Sequence, residues 1–153
     1  MDTILKEKYN LSELLATMKD IRNPSTGCAW SIKQDFASLR KHTLEEAYEV
    51  VDAINSGDMG ELKGELADLL YQVVFYAELG EEQGDFDFSD IIDHLTQKLI
   101  RRHGHVFGEI KLQSETEIND HWQATKQAER NNSQSEQGNS SVLDNIPQAL
   151  PAL

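Results

Sequence analysis

Apolar residues recur at three- and four-residue steps through most of this chain, and this spacing predicts amphipathic helices. Capping residues and Gly or Pro breaks divide the pattern into five segments. Helices are predicted over residues 10–23, 32–56, 58–82, 89–103 and 114–130. Ser89 is the predicted N-cap of the fourth segment. The pattern therefore predicts a helical chain with short connections.

Some apolar positions carry expectations about packing. The run Leu69–Tyr76 is apolar on more than one face, so it lies in the middle of a bundle or against a second subunit. Trp30, in the loop after the first helix, is expected to be buried or partly buried as the anchor of that loop, with a platform near a nucleobase as the alternative. Glu78 and Glu81 are expected at the surface. In the fourth helix, the residues expected to face inward are Ile91, Ile92, Leu95, Leu99 and Ile100.

Four acidic residues lie on the apolar sides of the second and third helices. At about 100° per residue, Glu46 and Glu49 share one face of the second helix. Glu65 and Asp68 share a stripe of the third. Because the connection between these helices is short, they are expected to be antiparallel neighbours, and the two acidic pairs can face each other.

Buried carboxylates favour a bound cation. Each buried charge costs several kcal/mol unless it is paired or bound to a metal. An all-oxygen ligand set favours Mg²⁺ or Mn²⁺ over zinc, and the absence of Glu-x-x-His argues against a di-iron bundle. The alternative is that these acids form solvated helix faces, which is common for Glu. The spacing alone leaves both interpretations open.

Composition restricts the class of protein. The length of 153 residues indicates one domain, and 14 Lys and Arg against 27 Asp and Glu give a net charge of −13. This charge argues against nonspecific nucleic-acid binding, which depends on basic residues. Cys28 is the single cysteine, which favours a reducing compartment. No apolar run is long enough for a membrane span and the N-terminus lacks a signal-peptide core, so a cytoplasmic protein without membrane contact is expected.

The acidic spacing, Glu45-Glu46-x-x-Glu49 followed by Glu65-x-x-Asp68, resembles the E-E-x-x-E…E-x-x-D signature of the MazG family, all-α nucleoside triphosphate pyrophosphohydrolases. The resemblance covers roughly residues 11–130. Further matching motifs lie at 28–30 (C-A-W), 43–54, 64–77, 84–91 and 98–107 (K-L-I-R-R-H-G-H-V-F). The chain departs from the family's usual C-P-W-D at Ala29 and Ser31, and from R-R-H-P-H-V-F at Gly104.

The resemblance implies an all-α bundle of the NTP pyrophosphohydrolase type, completed by dimerisation into a homodimer or higher homo-oligomer. Its catalytic domain would span residues 1–130, followed by a polar linker and an apolar C-terminal segment at 131–153. Longer two-domain members of the family join their halves by a similar passage. The chain is therefore expected to be the N-terminal half of a longer protein or a truncated piece of one.

The implied reaction is Mg²⁺-dependent hydrolysis of a nucleoside or deoxynucleoside triphosphate to the monophosphate and pyrophosphate, with Mn²⁺ as a possible substitute. The implied metal ligands are Glu46, Glu49, Glu65 and Asp68, and these four form the catalytic set together with Glu45, a candidate for orienting water. The implied substrate-binding residues are His42, Lys98, Arg101, Arg102, Trp122 and Lys126.

Several of these substrate-binding residues also have purely structural interpretations. Lys98, Arg101 and Arg102 could be ordinary partners of a helix dipole instead of phosphate ligands. Trp122 could pack its helix down instead of closing over a nucleotide. A lone helical histidine such as His42 is commonly structural.

Two other functions fit part of the pattern. One is a non-catalytic helical module that senses a metal or nucleotide or binds a partner protein. The other is a different helical pyrophosphohydrolase, acting on phosphoribosyl-ATP or on dUTP. A degenerate relative would be expected to have lost one of the four acids, and none is lost here. The long matches at 64–77 and 98–107 favour the MazG-like enzyme over both.

Overall fold

A computed structural model describes residues 6–112 and 114–134, and every regular element in this part of the chain is an α-helix. The seven helices are α1 (Leu11–Arg22), α2 (Ala29–Ile32), α3 (Phe36–Ser56), α4 (Met59–Gln83), α5 (Phe88–Arg102), α6 (Gly104–Phe107) and α7 (Glu115–Gln134). The predicted all-α class is confirmed. None of the described helices is long and apolar enough to cross a membrane.

The last predicted segment is described only in part. Helix α7 runs to Gln134, four residues beyond the predicted end at Arg130. The rest of the predicted linker and the apolar C-terminal segment, residues 135–153, lie outside the described residues.

The chain divides into two compact units, one reaching to Ile92 and the other beginning at Asp93, within α5. The first unit contains the hydrophobic core. The large buried side chains of this core come from α1, α3 and α4, and they are Met18, Leu39, Val74, Phe75 and Leu79. Long α4 therefore forms the centre of this unit, with α1 and α3 packed against it.

The α3–α4 hairpin is set by its connection. Gly57 ends α3 in the left-handed region (φ 75°), which glycine adopts without a Cβ penalty. The next residue, Asp58, caps α4 by accepting hydrogen bonds from the N–H groups of Gly60 (2.7 Å) and Glu61 (3.1 Å). The chain thus reverses within two residues and places the two acidic helices side by side, as the short connection predicts.

The predicted helix over 32–56 is wrong at its start. Residues Ala29–Ile32 form a separate short helix, and α3 begins only at Phe36. The cause is Asp35, whose carboxylate accepts the N–H of Ser38 at 2.7 Å, while the Ser38 hydroxyl accepts the N–H of Asp35 at 3.0 Å. This reciprocal cap holds Asp35 in an extended conformation, so the helix cannot run through it.

The predicted cap at Ser89 is also wrong. Helix α5 begins one residue earlier, at Phe88. The Asp87 carboxylate accepts the N–H of Asp90 (3.0 Å), and Asp90 accepts the N–H of Asp87 (2.9 Å). An aspartate pair three residues apart satisfies two N–H groups, whereas Ser89 alone could satisfy one.

The two expectations about apolar packing have opposite outcomes. Gln72, Val74 and Phe75 are buried, so the middle-of-bundle interpretation of Leu69–Tyr76 is confirmed for these residues. The expectation that the apolar stripe of α5 faces inward is wrong for most of its members. The side chains of α5 that are 40–47% exposed are Ile92, Leu95, Leu99 and Ile100.

Glu78 and Glu81, the two acids of α4 expected at the surface, differ in their exposure. Glu81 is exposed and accepts a hydrogen bond from the Lys19 ammonium at 2.5 Å. Glu78 is half-buried, which contradicts the expectation, and its burial raises the pKa of its carboxyl. Glu78 points to the same side of α4 as the core residues Val74 and Phe75, one turn earlier, which accounts for its burial.

Candidate metal centre and nucleotide site

The α3–α4 hairpin brings three carboxylates to one place. One oxygen each from Glu46, Glu49 and Glu65 lies within 4.8 Å of the other two. Glu46 and Glu65 are half-buried and Glu49 is exposed. Oxygens bound to one Mg²⁺ at roughly 2.1 Å are about 3.0 Å apart when adjacent and about 4.2 Å apart when opposite, so changes in the side-chain torsions of these glutamates would bring the three oxygens onto one ion. The residues present therefore fit a hard divalent cation.

The negative charges of the clustered carboxylates repel one another, and burial together with this repulsion raises the pKa values of two of them. Burial raises the pKa of Glu46, and the charges of Glu49, Asp68 and Glu65 raise it further. Burial is also the largest cause of the raised pKa of Glu65, followed by the charges of Glu49 and Asp68; a hydrogen bond with the Glu49 carboxyl adds to it. A cation bound here would replace this repulsion by attraction.

The remaining predicted acids lie at the edge of the cluster. Asp68 is exposed and stands outside the set of three oxygens, but its charge is felt by Glu46 and Glu65. Glu45 is exposed on the flank of α3, and its Oε2 lies 3.5 Å from Nδ1 of His42. The structure thus brings three of the four predicted ligands together and leaves the fourth beside them.

An aromatic pair lies one turn from the acids on α3. Trp30 packs edge-on against His42, with ring centroids 6.0 Å apart and planes at 71°. Trp30 is 51% exposed, so it is not anchored in the core and is at most partly buried. Its neighbour Ser31 takes the buried position instead, at 3% exposure. Because His42 and Glu46 are four residues apart on one helix face, the pair borders the acidic cluster.

The predicted basic residues lie in the second unit, where two of them share a partner that the pattern did not suggest. Arg102 donates from Nη2 (2.6 Å) and Nε (3.1 Å) to Oε2 of Glu129, and Arg101 donates from Nε to Oε1 (3.2 Å). These bonds lower the pKa of Glu129. The Arg102 guanidinium also lies 5.6 Å from the Trp122 ring centroid. Arg101, Arg102 and Trp122 are thus brought together, and α7 is bonded to α5.

The other two basic candidates are described by their places on the helices alone. Lys98 lies on α5 one turn before Arg102, and Lys126 lies on α7 one turn after Trp122. The sequence pattern does not predict that Glu129 pairs with Arg101 and Arg102, because Glu129 is one of many acidic residues on the predicted helices.

Comparison with known sequences identifies the protein family to which the acidic hairpin belongs. Residues 34–107 match the family described as the MazG nucleotide pyrophosphohydrolase domain. This chain carries a MazG domain. The resemblance drawn from the motifs is confirmed, and the matched span includes α3, α4 and α5 with all the carboxylates of the cluster.

Two relatives of this chain are longer than it is. It is 45% identical over 143 residues to the Escherichia coli K12 "Nucleoside triphosphate pyrophosphohydrolase", covering 94% of this chain and 53% of that protein. It is 45% identical over 97 residues to the Thermotoga maritima "Nucleoside triphosphate pyrophosphohydrolase/pyrophosphatase MazG", covering 63% of this chain and 38% of that protein. The chain therefore spans about half the length of the E. coli protein.

A solved structure shares the fold of the MazG domain. The "mazG-related protein from Thermotoga maritima" superposes with a TM-score of 0.62 over 76% of this chain and 99% of that one, at 24% identity. At this identity the likeness concerns the helical architecture alone. Trp30, Trp122 and Lys126 lie outside the matched span 34–107.

Proposed function

We propose that this chain hydrolyses nucleoside or deoxynucleoside triphosphates to monophosphate and pyrophosphate in a Mg²⁺-dependent reaction, with Mn²⁺ as a possible substitute. The observation that carries the proposal is the convergence of Glu46, Glu49 and Glu65 inside a MazG domain. The names of the E. coli and T. maritima relatives support it.

The acidic residues divide into two roles. Glu46, Glu49 and Glu65, with Asp68 beside them, would hold the Mg²⁺, which when bound polarises the phosphoryl oxygens of the substrate. Glu45 does not belong to the set of three oxygens. It is exposed beside His42, so it is free to accept a proton from the attacking water.

The bonds that change follow from the products. A water oxygen forms a bond to the α-phosphorus, and the bond from that phosphorus to the α,β-bridging oxygen breaks. The water proton passes to a carboxylate, for which Glu45 is our candidate, and pyrophosphate leaves with the bonding electrons. Lys98, Arg101, Arg102 and Lys126 are the proposed phosphate contacts, and a substrate phosphate would compete with Glu129 for the two arginines.

Hydrolysis in ¹⁸O-labelled water tests where the attack occurs. We expect monophosphate that carries the label and unlabelled pyrophosphate, because the attack is at the α-phosphorus. Mass spectrometry of the separated products measures this directly. Label in pyrophosphate, or products that are diphosphate and orthophosphate, would contradict the mechanism. Triphosphate binding without any product would favour the non-catalytic binding module.

We also propose that the chain assembles as a homodimer through apolar surface on α3 and α4. Of the two alternatives for Leu69–Tyr76, packing against a second subunit does not apply to Gln72, Val74 and Phe75, because this chain's own core buries them. Other apolar side chains of the two helices are available. Those between 42% and 57% exposed are Leu44, Tyr48, Val51, Ile54, Leu66 and Leu70. An apolar patch of this kind is typical of a subunit interface.

Substitution on this surface should separate the subunits. Tyr48→Lys is expected to convert a dimer at micromolar concentration into a monomer, because a buried unpaired ammonium is costly in an interface. Sedimentation velocity measures the change. Asp20→Lys, at an exposed position of α1, is the matched control and should leave the dimer intact. A parent protein that sediments as a monomer with full activity would refute the dimer.

A further inference from the structure

A buried arginine outside the acidic cluster makes an unusual number of contacts. Arg22, the last residue of α1, is only 7% exposed. Its Nε and Nη2 donate to Oε1 and Oε2 of Glu82 at 2.6 and 2.7 Å, and its guanidinium lies 5.2 Å from the Phe75 ring centroid. A two-pronged ion pair of this kind fixes both distance and orientation. It ties the end of α1 to the end of α4.

The remaining nitrogen of Arg22 is directed to the backbone of another segment. Nη1 donates to the carbonyl of Ser31 and, at 3.4 Å, to that of Gln34. Ser31 is 3% exposed. Arg22 therefore holds α2 and the turn that follows it, although it belongs to neither.

The α2 segment is too short to be stable without contacts to the rest of the protein. Helix α2 has four residues, far fewer than an isolated helix needs for stability. Trp30, one residue before Ser31, is half exposed and touches His42 only by an edge. Its indole has little core packing to fix it, so its position depends on how the backbone on either side is anchored. Arg22 provides that anchor on the Ser31 side.

We propose that the buried Arg22–Glu82 pair is a positioning device which presents Trp30, against His42, as a stacking surface for the substrate's nucleobase. The inference rests on the proposed function, since it assigns the base-binding part of that site. The aromatic pair borders the acidic cluster, where the phosphates would lie, and an exposed indole offers a flat face to any base. Stacking is tolerant of base identity, so this surface implies broad selectivity.

The test uses Arg22→Lys and two substrates that differ only in the base: ATP, and ribose 5-triphosphate, which has none. Lysine keeps the charge but cannot bond both Glu82 oxygens and the Ser31 carbonyl at once. We expect the KM for ATP to rise about tenfold, within the range of roughly 5–150-fold for loss of one stacked base, with kcat within about twofold. The KM for ribose 5-triphosphate should not change.

Matched variants separate positioning from stability. Glu82→Gln, at a more exposed position, should shift the KM for ATP in the same direction by a smaller factor and guards against loss of folding in Arg22→Lys. Lys19→Gln removes the neighbouring α1–α4 ion pair with Glu81 and does not touch the α2 segment, so it should leave both KM values unchanged. An equal rise for both substrates, or a rise in Lys19→Gln, would overturn the inference.

A second readout does not depend on turnover. The chain has two tryptophans, so 5-fluorotryptophan labelling gives two ¹⁹F resonances, and Trp30→Phe identifies one of them. The Trp30 resonance should shift when α,β-methylene-ATP is added, and should not shift with ribose 5-triphosphate. If the Trp30 resonance of the parent protein does not shift with α,β-methylene-ATP, Trp30 does not bind the base, even if the enzyme is active. A shift in a parent that forms no products sustains this inference while the proposed reaction fails.

Discussion

Glu65→Gln should reduce Mg²⁺-dependent kcat/KM by more than about a hundredfold, because it removes one of three converging oxygen ligands and leaves the shape of the side chain unchanged. Glu65 is half-buried, and of the three clustered acids it is the one that α4 contributes. Asp68, the next acid on α4, lies outside the set of three oxygens. The loss is measured by pyrophosphate release at saturating and limiting substrate.

The matched control is Asp52→Asn, on α3 within one turn of Glu49. Asp52 is exposed and is not among the carboxylates whose charges raise the pKa of Glu46 or Glu65. Its replacement removes the same charge from the same hairpin and should leave activity within about twofold, since exposed charges are weakly coupled through water. Equal losses in both variants would mean that net charge, and not ligation, accounts for the effect.

The acidic hairpin could be predicted from the sequence because every signal for it is local. The period of the apolar residues sets the faces of α3 and α4, and Gly57 with Asp58 sets the reversal. Once two helices are antiparallel neighbours, acids at a three-residue spacing on facing sides must converge. Which three of the four acids come closest depends on the rotation of each helix, which the period alone does not specify to better than a fraction of a turn.

The errors arise where one local signal competes with another or with tertiary contacts. Asp35 and Asp87 each cap a helix through a side chain three residues away, and such a cap overrides helical periodicity that continues past it. The general preference of tryptophan for burial predicts that Trp30 is buried or partly buried, and its side chain is 51% exposed. Trp30 is exposed because its small neighbour Ser31 is buried instead, where the Ser31 carbonyl accepts a hydrogen bond from Arg22. This contact joins residues nine positions apart, and no local pattern in the sequence predicts it.

The exposed apolar stripe of α5 is a different kind of error. The period correctly indicates an amphipathic helix, but it cannot indicate which chain, or which part of a chain, covers the apolar face. Leu95, Leu99 and Ile100 are each at least 40% exposed among the described residues. The pattern predicts that such a face is buried, but it does not predict that another part of the same chain buries it.

The acidic cluster should also make the stability of the metal-free protein depend on pH in an unusual direction. Folding raises the pKa of Glu46 and Glu65 above 4.5, the ordinary glutamate value, through burial and then through the charge of Glu49. Between the ordinary and the raised pKa the native state binds more protons than the unfolded chain, so stability falls as pH rises. The contribution is fully present below pH 4.5 and is lost as pH rises through the raised values.

Two other carboxyls, those of Asp35 and Glu129, change the stability in the opposite direction as pH changes. Their contributions must therefore be separated from that of the acidic cluster. The pKa of Asp35 is lowered by hydrogen bonds from Ser38, and that of Glu129 by hydrogen bonds from Arg102 and Arg101. Their stabilisation is present above the ordinary carboxyl pKa and is lost as pH falls. Comparing the parent with Glu65→Gln at each pH removes these shared contributions, because both proteins contain them.

Thermal melts with and without Mg²⁺ then decide whether the acids form a metal site. At about a hundredfold excess over its Kd, a cation that binds only the folded protein stabilises it by about 2.7 kcal/mol, or about 5–10 °C for a domain of this size. The increase should grow as pH rises through the raised pKa values, because binding requires ionised carboxylates. Metal-free Glu65→Gln should melt no lower than the parent at neutral pH and gain little from Mg²⁺. A parent without any Mg²⁺-dependent shift, together with a Glu65→Gln variant that unfolds, would show that these acids stabilise the hairpin and bind no metal.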